Sequence, residues 1–301
     1  MNYIHLIDGE KGGVGKSVVA QSIFYYCLKI LRLAGIKSEP QPLTLEEVNN
    51  ILQSESQIPN PSSDDETEVG KYPHIPLVLI DADRTNADVE KVYEKKFRSL
   101  ITKGFFSENA KSEEEKIAAH AIFEAAIGKT VVVNVPSAAK RAIDSWFSVN
   151  DLFELAELQE EPIKFVKWFV SNGLKDSLEL YKDSVNKYSR ENPGKMTHIL
   201  VKNNFFCDDW KLLDNQDYSE VITKDFTMEF PALDEMYSIH IRDEKLDYDD
   251  AISGQGFFRN KVIARHAVFK FTKKVSEGFA KYIDTPQTKV PWILQRSCKS
   301  G

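Results

Sequence analysis

The sequence has few of the features that mark secreted, membrane-spanning or nucleic-acid-coating proteins. It contains three cysteines in 301 residues, an odd and sparse count that excludes a disulfide framework. No apolar run approaches the length of a membrane span, and the first residues form no basic leader. The formal net charge of −7 argues against a basic surface throughout, although it is compatible with a local basic patch. We therefore expect a cytoplasmic protein without membrane attachment.

What the sequence does contain is typical of a globular protein with a well-buried core. Hydrophobic residues make up 42% of the chain and charged residues 28%. Apolar segments alternate with helical patterns, and six of them predict strands: 3–7, 77–80, 130–133, 163–170, 198–201 and 221–230. This alternation predicts an α/β fold whose parallel, mostly doubly wound sheet is covered by helices on both faces.

One segment interrupts the alternation. Residues 37–76 contain six prolines and an acidic stretch from Ser62 to Glu68. Such a composition cannot bury much surface, so we expect a mobile insert or, alternatively, a small docking element for a protein partner. The remainder predicts a single domain over residues 1–285 and a C-terminal tail over residues 286–301.

A glycine-rich segment lies between the first predicted strand and the helical pattern that follows it. It has the sequence Lys-Gly-Gly-Val-Gly-Lys-Ser at positions 11–17. Glycines let backbone N–H groups point at a polyphosphate, and the helix N-terminus adds a positive dipole. Lys16 supplies a point charge, and the Ser17 hydroxyl is suited to Mg²⁺. The predicted nucleotide-binding residues are Gly12, Gly13, Val14, Gly15, Lys16, Ser17 and Val18.

Polar side chains follow three of the later predicted strands, at the sheet edge where parallel sheets bind their ligands. Asp81 and Asp83 follow the second strand at alternate positions, so one faces the site and the other faces the body of the fold. Asn134 follows the third strand and Asn203 the fifth. Each of these residues has a simpler interpretation as a helix cap or turn residue, and for the aspartates both roles can hold together.

The loop resembles the deviant Walker A box of the ParA/MinD superfamily of P-loop ATPases. A strict P-loop has glycine where this chain has Glu10, and this chain carries a second lysine, Lys11, ahead of its paired glycines. The resemblance implies ATP and Mg²⁺ as cofactors and a homodimer on ATP binding, in which Lys11 crosses the interface to act at the partner's nucleotide. It also implies that Asp83 positions the attacking water near Mg²⁺. The metal residues would be Ser17, Asp83 and Asp81, with Asp81 either a supporting ligand or a group that holds the ligands in place.

The chain departs from the family pattern after the third strand. Asn134 occupies the place of a Walker B-like aspartate, and a neutral amide adds no charge that would hold Mg²⁺. Hydrolysis should therefore be slow, unless the alignment is shifted and Asn134 is only a turn residue. By the same resemblance Asn203, in preference to Asn204, would read the adenine edge, and Pro231 would shape the base pocket.

The later half of the chain is diffusely similar to the TraL-like ATPases of plasmid conjugal transfer and stability. This similarity implies a slow Mg²⁺-dependent ATPase in plasmid partition, maintenance or mobilisation. The alternative is a nucleotide-switched scaffold that hardly hydrolyses ATP and recruits a protein partner through the insert at 37–76. The last predicted helix is basic, which indicates either a solvated face or, as in ParA-like proteins, a nonspecific DNA surface. Its basic residues are Lys261, Arg265, His266, Lys270, Lys273 and Lys274.

Overall fold

The computed structural model describes residues 2–9, 12–33, 77–83, 87–93, 119–190, 192–219, 221–222 and 226–283. Lys11, the predicted insert at 37–76 and the predicted tail at 286–301 lie outside these residues. The expectations about these three parts of the chain therefore stay predictions.

A six-stranded parallel sheet forms the centre of the described structure and confirms the predicted α/β fold. Its strands are β1 (Asn2–Asp8), β2 (Leu77–Asp81), β3 (Thr130–Asn134), β4 (Ile163–Ser171), β5 (Met196–Asn203) and β6 (Thr227–Phe230). Their order across the sheet is β2-β3-β1-β4-β5-β6, and every adjacent pair is parallel. The chain thus adds strands first on one side of β1 and then on the other.

Burial on both faces explains why these apolar runs form central strands. Every residue of β1 and β3 is buried, as expected for parallel strands that are covered by helices on both sides. Because side chains alternate along a strand, Ile7 and Val132 pack into the core on one face. Leu6 and Val133 pack into the core on the other face.

Helices cover both faces of this sheet. The described helices are α1 (Lys16–Leu33), α2 (Asp88–Tyr93), α3 (His120–Ala125), α4 (Lys140–Val149), α5 (Leu152–Glu157), α6 (Lys175–Val185), α7 (Gln216–Ser219), α8 (Glu235–Asp243), α9 (Tyr248–Ser253) and α10 (Val262–Phe279). Side chains of α1, α2, α8, α9 and α10 pack on one face, and those of α3, α4, α5 and α6 pack on the other. None of the helices in the described ranges is both long and apolar enough to cross a membrane.

The structure corrects the predicted length of the sixth strand. Among the described residues of this range, which are 221–222 and 226–230, Thr227–Phe230 pairs with β5. Val221 and Ile222 instead donate their backbone N–H groups to the carbonyl oxygen of Tyr218, so they close a turn rather than extend a ladder. The sequence pattern also missed the short helices α4, α5, α8 and α9, because one to three helical turns carry too few apolar positions for a clear period.

Candidate functional site

The glycine-rich loop lies at the carboxyl end of β1. This strand separates β2 and β3 on one side of the sheet from β4, β5 and β6 on the other. β1 lies between β3 and β4, and α1 begins at Lys16 directly after the loop. An open parallel sheet binds its ligands in such a crevice. The ends of β2, β3 and β5 lie at the same edge, so the fold brings the predicted residues Asp81, Asn134 and Asn203 toward the loop.

Two glycines of the loop have backbone conformations that other residues rarely adopt. The φ angle is +76° at Gly13 and +93° at Gly15. A Cβ on Gly15 would also lie 2.4 Å from Nδ2 of Asn203, so this position has no room for a side chain. Gly12 and Gly13 are exposed, and a Cβ on Gly13 would meet no atom within 4 Å. The loop therefore presents open backbone on its outer side, whereas Val14 is buried beneath it.

The amine of Lys16 is held at the inner side of the loop. Its Nζ donates hydrogen bonds to the Gly9 carbonyl oxygen at 2.9 Å and to Ser137 Oγ at 2.8 Å. Burial lowers the pKa of Lys16, and the negative charges of Asp8 and Asp83 act in the opposite direction. A polyphosphate beside this amine would further favour its protonated form.

A buried ion pair fixes the start of the loop. Nζ of Lys167 in β4 lies 2.8 Å from Oδ2 of Asp8, and both side chains are buried. Oδ1 of Asp8 accepts the backbone N–H of Gly9 at 2.7 Å. Burial by itself would raise the pKa of Asp8, but the charge and hydrogen bond of Lys167, the N–H of Gly9 and the charge of Lys16 together outweigh burial, so the pKa is lowered. The N–H of Gly9 therefore donates to Asp8, and the carbonyl oxygen of Gly9 accepts from Lys16.

The sequence reasoning missed three residues of this arrangement. Asp8 and Lys167 are charged residues in largely apolar strands, which was a usable signal, because a buried charge requires a partner. Ser137 lies just beyond the end of β3 and gave no signal apart from its position near Asn134.

Asp81, at the end of β2, accepts four hydrogen bonds. Its Oδ2 accepts the backbone N–H groups of Val89 and Glu90 at 3.0 and 3.1 Å. Its Oδ1 accepts Nδ2 of Asn134 at 2.9 Å and the N–H of Asp83 at 3.3 Å. Burial raises the pKa of Asp81 to about 6, although these hydrogen bonds lower it. Asp81 thus caps the first turn of α2, and its role as a metal ligand stays a prediction.

Asn134 presents an oxygen that is suited to a hydrated cation. Its Nδ2 lies 3.5 Å from Ser17 Oγ, and its Oδ1 is buried without a hydrogen-bond donor among the described residues. Mg²⁺ in proteins keeps several waters, and such a water donates hydrogen bonds to nearby oxygens. Within the described ranges, no three His, Cys, Asp or Glu side chains cluster as a metal site. The Ser17 hydroxyl and the Asn134 amide oxygen are chemically suited to a hydrated Mg²⁺, and the metal itself stays a prediction. Asp83 is half-buried at the same edge.

Asn203 ties the loop to the segment that follows β5. Its Nδ2 donates to the Val14 carbonyl oxygen at 2.8 Å, and its Oδ1 accepts the N–H of Phe205 at 3.1 Å. These contacts are with the protein backbone, and its contact with adenine stays a prediction. Pro231 is half-buried after β6, where Leu233 rather than Pro231 lines the neighbouring cavity.

A cavity of about 400 Å³ opens beside the loop. Among the predicted residues it is lined by Gly12, Gly13, Gly15, Lys16, Ser17, Val18 and Asp83. Its remaining walls include side chains that the sequence did not suggest, namely Gln21, Val89, Val92, Ser137, Phe205, Leu233, Ile239, Arg242 and Tyr248. The cavity is thus polar at the loop. Toward α2 and α8 its wall mixes apolar side chains with charged and polar ones, which include Asp88, Glu235, Ser238 and Arg242.

Comparison with known proteins adds one distant structural likeness. No family model matches the chain, and no curated protein matches it. The chain is similar to the crystal structure of a candidate plasmid partition protein from Borrelia burgdorferi B31 bound to AMPPNP. The two share 14% sequence identity over 91% of this chain and 99% of that chain, with a TM-score of 0.43. A likeness at this level carries no argument about function.

Replacing Asn134 by aspartate should destabilise the nucleotide-free protein in a pH-dependent way. The change removes the hydrogen bond to Asp81 and sets two buried carboxyl groups side by side. Such a pair binds a proton more tightly in the folded state, so its contribution to stability is present at low pH and is lost as the pH rises through the raised pKa. We expect the loss of unfolding free energy relative to wild type to be about 2 kcal/mol larger at pH 8 than at pH 5, measured by urea unfolding.

Asn172→Asp is the matched control for this prediction. Oδ1 of Asn172 accepts the N–H of Leu174 at 3.2 Å, and aspartate can accept the same bond. The stability of this variant relative to wild type should be nearly the same at both pH values. An equal loss at pH 5 and pH 8 in Asn134→Asp would contradict the pairing of the two carboxyl groups.

Proposed function

We propose that this chain binds ATP with Mg²⁺ in the loop that joins β1 to α1. The observation that carries the proposal is the buried amine of Lys16, which Gly9 and Ser137 hold beside an open glycine loop. Burial disfavours the charge of this amine, so an anionic group in the adjacent cavity stabilises it. The φ angles of Gly13 and Gly15 support a loop whose N–H groups wrap phosphate.

Each group of the site has its own role toward the triphosphate. The backbone N–H groups of residues 12–17 donate to phosphate oxygens at the N-terminus of α1, and Lys16 offsets the phosphate charge. The Ser17 hydroxyl would be a ligand of Mg²⁺, and Oδ1 of Asn134, which is buried without a donor among the described residues, would accept a hydrogen bond from its hydration shell. When bound, Mg²⁺ neutralises charge that develops on the phosphate oxygens.

Slow hydrolysis is the second part of the proposal. Asp83 is the residue that orients the attacking water, by the resemblance stated above. Asn134 contributes no charge, and the Asp81 carboxylate already accepts four hydrogen bonds. At an effective dielectric constant of about 20, a carboxylate a few ångströms from Mg²⁺ is worth on the order of a few kcal/mol. The lack of such a carboxylate at position 134 would change the affinity for Mg²⁺ or the rate of ATP hydrolysis by roughly tenfold or more.

The proposed cellular role is a ParA/MinD-like ATPase in plasmid partition, maintenance or mobilisation. It is supported by Lys11 at the signature position of the loop and by the TraL-like later half of the sequence. In this proposal two copies dimerise on ATP, and Lys11 of each acts at the nucleotide of the other. The basic residues of α10 would contact DNA nonspecifically, and Lys270, Lys273 and Lys274 are exposed on that helix.

The second candidate is an ATP-switched scaffold that recruits a protein partner through the insert at 37–76. The neutral side chain of Asn134 favours this scaffold, because an amide adds no negative charge that would support hydrolysis near Mg²⁺. The position of Asp83 beside the cavity favours the ATPase instead. Both candidate functions require ATP binding. The rate of ATP hydrolysis distinguishes them.

Lys16→Ala should abolish Mg·ATP binding, because it removes the cation that is aimed at the phosphates. We expect the dissociation constant from calorimetry to rise by about a hundredfold or more, or about 2.7 kcal/mol. Lys29→Ala, an exposed position on the same helix, is the matched control and should bind like wild type. Wild-type affinity in Lys16→Ala, with its fold verified by circular dichroism, would rule out the proposed site.

Lys11→Ala should bind ATP and yet remain monomeric, because Lys11 is proposed to act across the dimer interface rather than within its own site. Light scattering with ATP, with ADP and without nucleotide measures the effect. The wild-type protein should dimerise only with ATP. Equal dimerisation of both proteins would make Lys11 an ordinary loop residue.

Steady-state turnover with and without DNA should show a slow ATPase that Asp83→Ala inactivates. In saturating Mg·ATP, where the metal offsets the added charge, Asn134→Asp should turn over faster than wild type. Asp183→Ala, at an exposed site on α6, is the control and should leave the rate unchanged. Tight ATP binding without turnover in either condition would favour the scaffold.

A further inference from the structure

Two phenylalanine side chains are exposed beside the glycine loop. Phe205 and Phe206 directly follow the end of β5 and are 42% and 47% exposed. Their rings pack edge to face with centroids 5.0 Å apart. Phe205 also lines the cavity that the loop residues line. An exposed apolar surface at the wall of a polar cavity indicates a place that a ligand covers.

One side chain joins the backbone of the segment that carries these rings to the loop. Asn203 donates to the carbonyl oxygen of Val14 and accepts the N–H of Phe205, so it joins the two segments directly. Phe206 packs on the loop itself, since its Cε2 would lie 3.6 Å from a Cβ on Gly15. Phe205 thus has a backbone that is anchored to the loop, and it lines the cavity whose polar end is the loop.

We propose that Phe205 is the surface on which the base of the bound nucleotide stacks. This inference rests on the proposed ATP binding and names the residue that receives the base. Stacking requires only an exposed flat ring, and Leu233 provides further apolar wall in the same cavity. Phe205 raises the affinity for the nucleotide without selecting among bases, because every base has a stacking face. Asn203 acts as a positioning residue for the ring.

The test compares Mg·ATP with Mg·tripolyphosphate, which carries the phosphates without the base. Phe205→Ala should weaken ATP binding by about tenfold and leave the affinity for tripolyphosphate unchanged in calorimetry. Phe269→Ala is the matched control, because it removes a phenylalanine that is 47% exposed from α10. It should change neither affinity.

Phe205→Trp provides a spectroscopic readout of stacking. This variant should retain the ATP affinity of wild type, because tryptophan also presents a flat ring. Its fluorescence should change with ATP by more than that of the wild-type protein, and it should not change with tripolyphosphate. A merely structural role of Phe205 would produce no such difference between the two ligands.

The outcomes separate this inference from the proposed function. An unchanged ATP affinity in Phe205→Ala, or an equal loss for both ligands, would overturn stacking on Phe205. If the wild-type protein binds tripolyphosphate but ATP no more tightly, stacking fails while the phosphate site stands. If the wild-type protein binds neither ligand, the proposed function fails and stacking fails with it.

Discussion

The candidate site depends on how the fold holds both backbone polar groups of one residue, Gly9, which follows the central strand β1. Its N–H donates to the buried carboxylate of Asp8, and its carbonyl oxygen accepts Nζ of Lys16. A Cβ on Gly9 would lie 2.7 Å from the carbonyl oxygen of Val170, so the close approach of β4 requires glycine there. Because Lys167 of β4 pairs with Asp8, the loop begins from a point that is attached to two strands. Removing one partner of such a buried pair costs about 3–5 kcal/mol.

A series of polar contacts extends from this ion pair through Ser184 to His198. Lys167 also donates to Ser184 Oγ at 3.0 Å, and Ser184 lies 3.1 Å from Nε2 of His198. Burial and the nearby charge of Lys167 lower the pKa of His198 to about 3, so its ring is neutral at physiological pH. A neutral ring adds no second positive charge beside Lys167. The chain of contacts thus links β1, β4, α6 and β5 around a single compensated charge pair.

A second set of hydrogen bonds organises the ends of β2 and β3. Asp81 accepts N–H groups at the start of α2 and, through Asn134, connects the ends of β2 and β3. Because Nδ2 of Asn134 donates to Asp81, its Oδ1 is the atom left without a donor near Ser17. An aspartate at this position would face Asp81 with like charge. The amide is therefore compatible with the hydrogen bonds of Asp81 in a way that a second carboxylate is not.

The sequence by itself determined the parallel α/β sheet, the position of the glycine loop and which strand ends carry polar residues, because apolar runs and glycine spacing are local signals. It extended the sixth strand too far, since apolar residues alone do not distinguish a turn at Val221 from a ladder. Only the tertiary structure decided that Ser137 reaches Lys16 and that Asn203 reaches Val14. Those partners lie 121 and 189 residues apart in sequence, and strand order and register bring them together. Local patterns contain no information about such register, so the hydrogen bonds that shape the site could not be predicted from the chain alone.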